Sequence, residues 1–171
     1  PNVEMLEKSV RNKVILVTGA GGSIGSELCR QIIQCSPSSL ILVDVSEYSL
    51  YLICEELERL ILQIDLSTSS LRNDIYSLSS NSKKISTKVI PLLGSVQNKA
   101  FISKIISHYH PEVVFHAAAY KHVPLVESNI SEGISNNVFG TLVCAQACME
   151  FGVSKFLLIS TDKAVRPTNI M

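Results

Sequence analysis

The sequence has no tryptophan, and its 15 basic and 15 acidic side chains cancel. Without net charge there is no global field to recruit nucleic acid or an anionic membrane, so any bound anion must be held by a local site. Lysine and arginine form no cluster with interleaved aromatics, which argues against nucleic-acid binding. No apolar run reaches the ~18 to 20 residues that a membrane span needs, and the N-terminus shows no signal-peptide core. These absences predict a soluble, cytoplasmic chain that makes no membrane contact of its own. The five cysteines, Cys29, Cys35, Cys54, Cys144 and Cys148, include no Cys-x-x-Cys pair. Buried free thiols are the expectation, with no disulfide and no metal centre. Internal repeats are missing too. The 171 residues are 46% hydrophobic and 18% charged, a balance that allows one domain with a real core.

Short apolar runs alternate with helical spacing five times along the chain. Lys13–Thr18 ("KVILVT"), Ser39–Asp44, Lys88–Gly94, Glu112–Ala119 and Ser154–Thr161 read as strands. From Ser23, the residues Ile24, Leu28 and Ile32 recur every four positions, which predicts a helix with one buried stripe. Further helices are expected over Glu47 to about Leu66, Asn98–His108 and Ser131–Phe151. The last of these carries Ile134, Val138, Leu142, Ala145 and Met149 on one face, and its core positions dominate. The serine-rich segment 67–86 reads as a surface excursion. The strands are continuous apolar runs rather than alternating ones, so both faces of the sheet should be covered. The prediction is a Rossmann-like α/β fold: a doubly wound parallel sheet of five strands in the order 3-2-1-4-5, with helices on both faces. Pro91 places the third strand at an edge.

Four of the eight glycines fall within seven positions, in "VTGAGGSIGSELC" from Val17 to Cys29. Gly19, Gly22 and Gly25 are spaced three apart, where the first strand gives way to the first helix. A sharp turn needs a residue without Cβ. A diphosphate can approach the backbone only where no side chain blocks it. The helix start at Ser23 and Ile24 supplies unpaired N–H groups and a partial positive charge. Asp44 ends the second strand, close to the distance at which an acidic residue accepts hydrogen bonds from an adenosine ribose. The next residues, Val45, Ser46, Glu47 and Tyr48, include no base to receive a 2′-phosphate, so NAD is favoured over NADP. A turn or helix-cap aspartate is the plainer alternative for Asp44.

The motifs "TGAGGSIGSELCRQI", "AAAYKHVPLVE", "NNVFGT" and "STDKAVRPTN" together resemble the extended short-chain dehydrogenase/reductases. More narrowly, they resemble the UDP-N-acetylglucosamine 4,6-dehydratase group of bacterial surface-polysaccharide synthesis, from about Lys13 to Met171. The resemblance implies a nucleotide-sugar substrate, UDP-N-acetylglucosamine. It also implies tightly held NAD(P) that oxidises carbon 4, a loss of water across carbons 5 and 6, and hydride return to carbon 6. By the same resemblance Asp162 is the acid for the leaving hydroxyl, Lys163 the base at carbon 5, and Thr161 a hydrogen-bond donor to the carbon-4 oxygen. Taken alone, "TDK" is equally a polar loop after a strand. Ala117, Ala118 and Ala119 are small either because the cofactor passes over them or because a turn packs tightly. Lys121 and His122 face the nicotinamide end or substrate phosphates, or else cap the next segment. His116 reads as a structural histidine. In this family Asn137 helps hold the active-site loop; taken alone it is equally an exposed polar residue of a helix. Ser95 and Val96 stand where the family has Gly-Asp-Val beside adenine, with a hydroxyl replacing a carboxylate.

Met171 occupies the position of the family's proton-transferring tyrosine, as in the large membrane-anchored branch of the dehydratase group. That shifts the acid–base work onto Asp162, Lys163 or a water. The expectation is one truncated dinucleotide-binding domain, without dehydratase turnover by itself and able to self-associate at the flank of strand five. Related readings are an epimerase or reductase of the same superfamily, which Met171 disfavours, and a non-catalytic dinucleotide sensor, which has no need of Asp162 and Lys163.

Overall fold

The computed structural model describes residues 3–72 and 87–160. Five strands form one parallel sheet: β1 (Val14–Thr18), β2 (Ser39–Asp44), β3 (Lys88–Leu93), β4 (Val113–His116) and β5 (Lys155–Leu158). Their spatial order is β3-β2-β1-β4-β5, the expected doubly wound order. Pro91 lies on the edge strand β3, where a missing N–H is tolerated.

Successive strand residues point to opposite faces. Both faces of the central strands β1, β2 and β4 are buried, whereas the edge strands β3 and β5 are partly exposed. Ile15, Val17, Leu40, Leu42, Val113 and Phe115 meet α2 (Ser23–Gln34) and α3 (Glu47–Arg72). Leu16, Ile41, Val43 and Val114 meet α4 (Lys99–Tyr109) and α7 (Thr141–Glu150). Asn98 caps α4 by accepting the Phe101 N–H at 3.1 Å. Across α2 and α3, Arg30 bonds both carboxylate oxygens of Glu56, at 2.7 and 2.9 Å. All five cysteines are free, and four of them are buried. Burial pushes the Cys29 and Cys144 thiols up to about 12, which keeps them protonated and inert.

Several expectations are corrected. The helix expected to end at about Leu66 runs on to Arg72, into the serine-rich segment 67–86 read as a surface excursion, and residues 73–86 lie outside the described residues. The stripe of α2 begins at Gly25 rather than Ile24: Gly25, Cys29, Ile32 and Ile33 are buried, while Ile24 is 53% exposed. The predicted helix 131–151 is instead α6 (Ile130–Ile134), a π-helical turn (Ser135–Gly140) and α7, preceded by α5 (Val123–Ser128). Its large apolar residues Ile134, Val138, Leu142 and Met149 are exposed, and the sheet is met by Cys144, Ala147 and Cys148. Small side chains let that helix approach the strands closely, which bulky ones would prevent. A helix not foreseen, α1 (Val3–Val10), adds Leu6 and Val10 to one core face. Among the described residues no helix is long and apolar enough to cross a membrane.

Candidate functional site

The chain reverses its build-out at β1: β2 and β3 lie on one side, β4 and β5 on the other. The connections leaving the carboxyl ends of β1 and β4 therefore diverge, and a crevice opens between them. In this structure it is a groove of about 190 Å³ with Gly19, Gly21, Gly22, Asp44, Val96 and Ala117 among its walls.

The glycine turn makes the floor. Gly19 has φ +68°, a conformation that residues with a Cβ rarely adopt, and a Cβ there would lie 2.7 Å from the Ala117 carbonyl oxygen. At Gly25 a Cβ would lie 1.9 Å from the Gly19 carbonyl oxygen, so α2 can start against the turn only if this position is bare. Gly22 is the N-cap and offers no side-chain cap. The first intrahelical bond runs from Ser26 N–H to Gly22 O, at 2.8 Å. The N–H groups of Ser23, Ile24 and Gly25 thus have no partner within the helix and carry its positive end. An anion is the natural occupant of such a place. Ser23 also accepts a hydrogen bond from Lys121 Nζ at 3.0 Å. Ser23, Ile24 and Gly25 do not line the groove; they follow Gly22 at the start of α2.

Asp44 ties the turn to the second strand. Its Oδ2 accepts the Gly21 N–H and its Oδ1 accepts the Ser46 N–H, both at 2.8 Å. Val96 lines the groove, whereas Ser95 does not: its hydroxyl accepts the Gln97 N–H at 3.1 Å and turns the chain toward α4. On the far wall, Ala117 N–H donates to Thr18 O at 3.0 Å, which brings Ala117, Ala118 and Ala119 over the glycine turn.

That wall is held by two asparagines. Asn137 accepts the Tyr120 N–H at 2.8 Å and donates to Tyr120 O at 3.0 Å. Asn136, almost fully buried, donates to Ala118 O at 3.3 Å and to Asn137 Oδ1 at 3.1 Å. Consecutive residues of an α-helix diverge by about 100°, so two neighbours do not normally serve one loop. The π-helical turn relaxes that constraint. Beyond the wall a second cavity, about 410 Å³, is lined by Lys121, His122, Leu125, Asn129 and Glu132, and it shares Ala119 and Tyr120 with the groove. His122 stands at the N-cap of α5 but makes no capping bond through its side chain.

His116 is buried at the end of β4 with both ring nitrogens occupied, by Thr18 Oγ1 at 2.7 Å and Thr141 Oγ1 at 3.0 Å. This is the structural histidine expected. Burial lowers its pKa to about 4, against the ordinary 6.5. In the unfolded chain it binds a proton below about pH 6.5, while in the folded chain it stays neutral until about pH 4. Stability is therefore complete above the unfolded pKa and falls as pH drops through this window, by roughly 3 kcal/mol. Urea midpoints between pH 7 and 4 read this out. His116→Phe flattens the slope; an unchanged slope in that variant assigns the acid sensitivity elsewhere.

Thr161, Asp162, Lys163 and Met171 lie outside the described residues. Among the described residues no cluster of His, Cys, Asp and Glu could hold a metal. Sequence reasoning missed Gly21, Asn136 and Thr141. The fourth glycine of the cluster and the paired asparagines on an apolar helix were the available signals, but neither shows which atoms it meets.

An open parallel sheet with a glycine-floored groove at its switch point defines a Rossmann-like fold. The chain belongs to the polysaccharide biosynthesis protein family, which matches residues 15–171. It is 41% identical over 170 residues to the capsular polysaccharide biosynthesis protein CapD of Staphylococcus aureus, covering 99% of this chain and 25% of CapD. It is 30% identical over 159 residues to a UDP-N-acetylglucosamine 4,6-dehydratase (inverting) of Campylobacter jejuni, covering 92% of this chain and 39% of that enzyme. In fold it is similar to the UDP-glucose 4-epimerase of Stenotrophomonas maltophila, solved with bound NAD. There the TM-score is 0.67 at 19% identity, over 88% of this chain and 38% of the epimerase. The chain thus spans a quarter to two fifths of the length of these relatives.

Proposed function

We propose that the protein is an NAD-dependent nucleotide-sugar 4,6-dehydratase of surface-polysaccharide synthesis, acting on UDP-N-acetylglucosamine in the cytoplasm, with this chain as its cofactor-binding portion. The observation that carries the reading is the groove itself. Bare backbone at Gly19 and Gly25, open amides at the start of α2 and a carboxylate at Asp44 fit a dinucleotide with its diphosphate on the turn and its ribose at Asp44. Among the described residues no Lys or Arg lines the groove, which supports NAD over NADP. The NAD-bound epimerase of the same fold supports the cofactor, and the Campylobacter dehydratase supports the reaction.

NAD supplies the hydride acceptor at carbon 4 and the hydride donor at carbon 6. The chain's own residues handle the protons. With Met171 at the tyrosine position, Asp162, Lys163 or a water would take the carbon-4 hydroxyl proton while Thr161 holds that oxygen. Lys163 would take the carbon-5 proton as Asp162 protonates the departing carbon-6 hydroxyl, which leaves as water. Lys163 would return its proton to carbon 5 when carbon 6 receives the hydride. The second cavity, with Lys121 and His122 on its rim, lies beside the groove where the sugar nucleotide would enter.

The test is turnover of UDP-N-acetylglucosamine by the whole protein, followed by mass spectrometry and NMR. A 4-keto-6-deoxy sugar is the expected product. Lys163→Ala and Asp162→Asn lower kcat at least about a hundredfold, the usual contribution of a positioned acid or base, and leave NAD affinity unchanged. A carbon-4 epimer as the sole product replaces this reading with that of an epimerase. NAD binding with no product from any UDP-sugar would leave only a dinucleotide sensor.

A further inference from the structure

The hydrogen bonds around His116 form a continuous strut whose donor directions are determined. Thr141 has one hydroxyl proton, and it goes to the Asn137 carbonyl oxygen at 2.8 Å. Toward His116, Thr141 Oγ1 is therefore the acceptor, and the imidazole Nε2 must carry the proton. In a neutral ring Nδ1 is then the acceptor, and Thr18 donates to it at 2.7 Å. Thr18 immediately precedes Gly19. Asn137, at the other end, holds Tyr120 by both backbone groups. Phe156 of β5 stacks on the imidazole at 5.8 Å between ring centres. One side chain thus connects the strand that ends in the glycine turn with the π-helical turn that holds the opposite wall. The π-helical turn is the least regular part of that helix and has the most need of an outside tether.

We propose that His116, as the neutral Nε2–H tautomer, is a positioning residue that sets the separation of the glycine turn and the 117–121 wall, and so the affinity for the dinucleotide. The proposal rests on the reading of the groove as a dinucleotide site. His116 is not part of the groove wall. It acts through Thr141 and Asn137, and its influence is separable from general stability. The neutral ring is also what deep burial favours.

The test compares NAD affinity by titration calorimetry with melting temperature in the whole protein. His116→Asn leaves an acceptor near Thr18 but cannot reach Thr141; His116→Gln leaves a donor near Thr141. Thr141→Ser keeps the hydroxyl and Thr141→Val removes it. The expected result is about a tenfold loss of affinity in His116→Asn, His116→Gln and Thr141→Val, each of which breaks the strut at one end, with Thr141→Ser within about threefold of the parent. The double variant His116→Asn/Thr141→Val loses no more than either single, because the two act in series. Long-range proton–nitrogen NMR shows a protonated Nε2 and a bare Nδ1. Affinity that follows melting temperature across all four variants, or additive losses in the double variant, or the opposite tautomer, overturns the proposal. A parent protein that binds no NAD overturns the dinucleotide reading instead, and the tautomer measurement still decides the strut.

Discussion

Gly25→Ala is expected to destabilise the protein by about 3 kcal/mol, the upper part of the usual range for overpacking, and to abolish NAD binding. The added methyl group would lie 1.9 Å from the Gly19 carbonyl oxygen. The obstacle is backbone, so no rotamer change relieves it. Either α2 shifts away from the sheet, disturbing Cys29, Ile32 and Ile33 in the core, or the glycine turn is pushed into the groove. For a chain of this length such a loss lowers Tm by roughly 6–12 °C. Gly22→Ala is the contrast: its methyl group meets the same oxygen at 3.2 Å, which a shift of a few tenths of an ångström relieves. Thermal denaturation and calorimetric titration with NAD rank the two variants. Equal effects at both positions would show that α2 is not seated on the turn as described.

Asp44→Ala is expected to weaken NAD binding ten- to a hundredfold. Hydrogen bonds to a charged group contribute about 1.5–3 kcal/mol, and every 1.4 kcal/mol is a factor of ten in affinity. Asp44 has two tasks in this structure. Its oxygens already hold the Gly21 and Ser46 N–H groups, so it shapes the turn before any ligand arrives. It also faces the groove, where a ribose hydroxyl would donate to it. Its negative charge repels a 2′-phosphate, so Asp44→Ala loses affinity for NAD and not for NADP, and the preference between them narrows. Asp44→Asn sets an amide donor against one of the two backbone donors and cannot replace the carboxylate. Parallel titrations with both dinucleotides check this. NAD affinity unchanged in a variant with native circular dichroism would falsify the assignment of Asp44 to the ribose.

The sheet was readable along the chain because its determinants are local. Continuous apolar runs such as "LILVD" cannot be stable unless covered on both faces, and regular alternation with helices leaves parallel pairing as the economical solution. Gly19, Gly22, Gly25 and Asp44 were likewise legible, since a strand–turn–helix with bare positions at fixed spacing is a short-range pattern. The helix after β4 was misread for a corresponding reason. Spacing groups Ile134, Val138, Leu142 and Met149 on one face, yet periodicity does not say which face meets the sheet. Close packing chose the small residues Cys144, Ala147 and Cys148.

The sequence by itself determined the layered parallel fold, its strand order and the place of the glycine turn, because each rests on hydrophobic patterning and backbone sterics within a few residues. Only the tertiary structure decided what Asp44 holds, which atoms of His116 carry a proton, and how Asn136 and Asn137 together support one loop. Those depend on distances between residues far apart in the chain, such as Thr18, His116 and Thr141, and hydrogen-bond direction exists only once the fold has brought both threonine hydroxyls within hydrogen-bond reach of the imidazole.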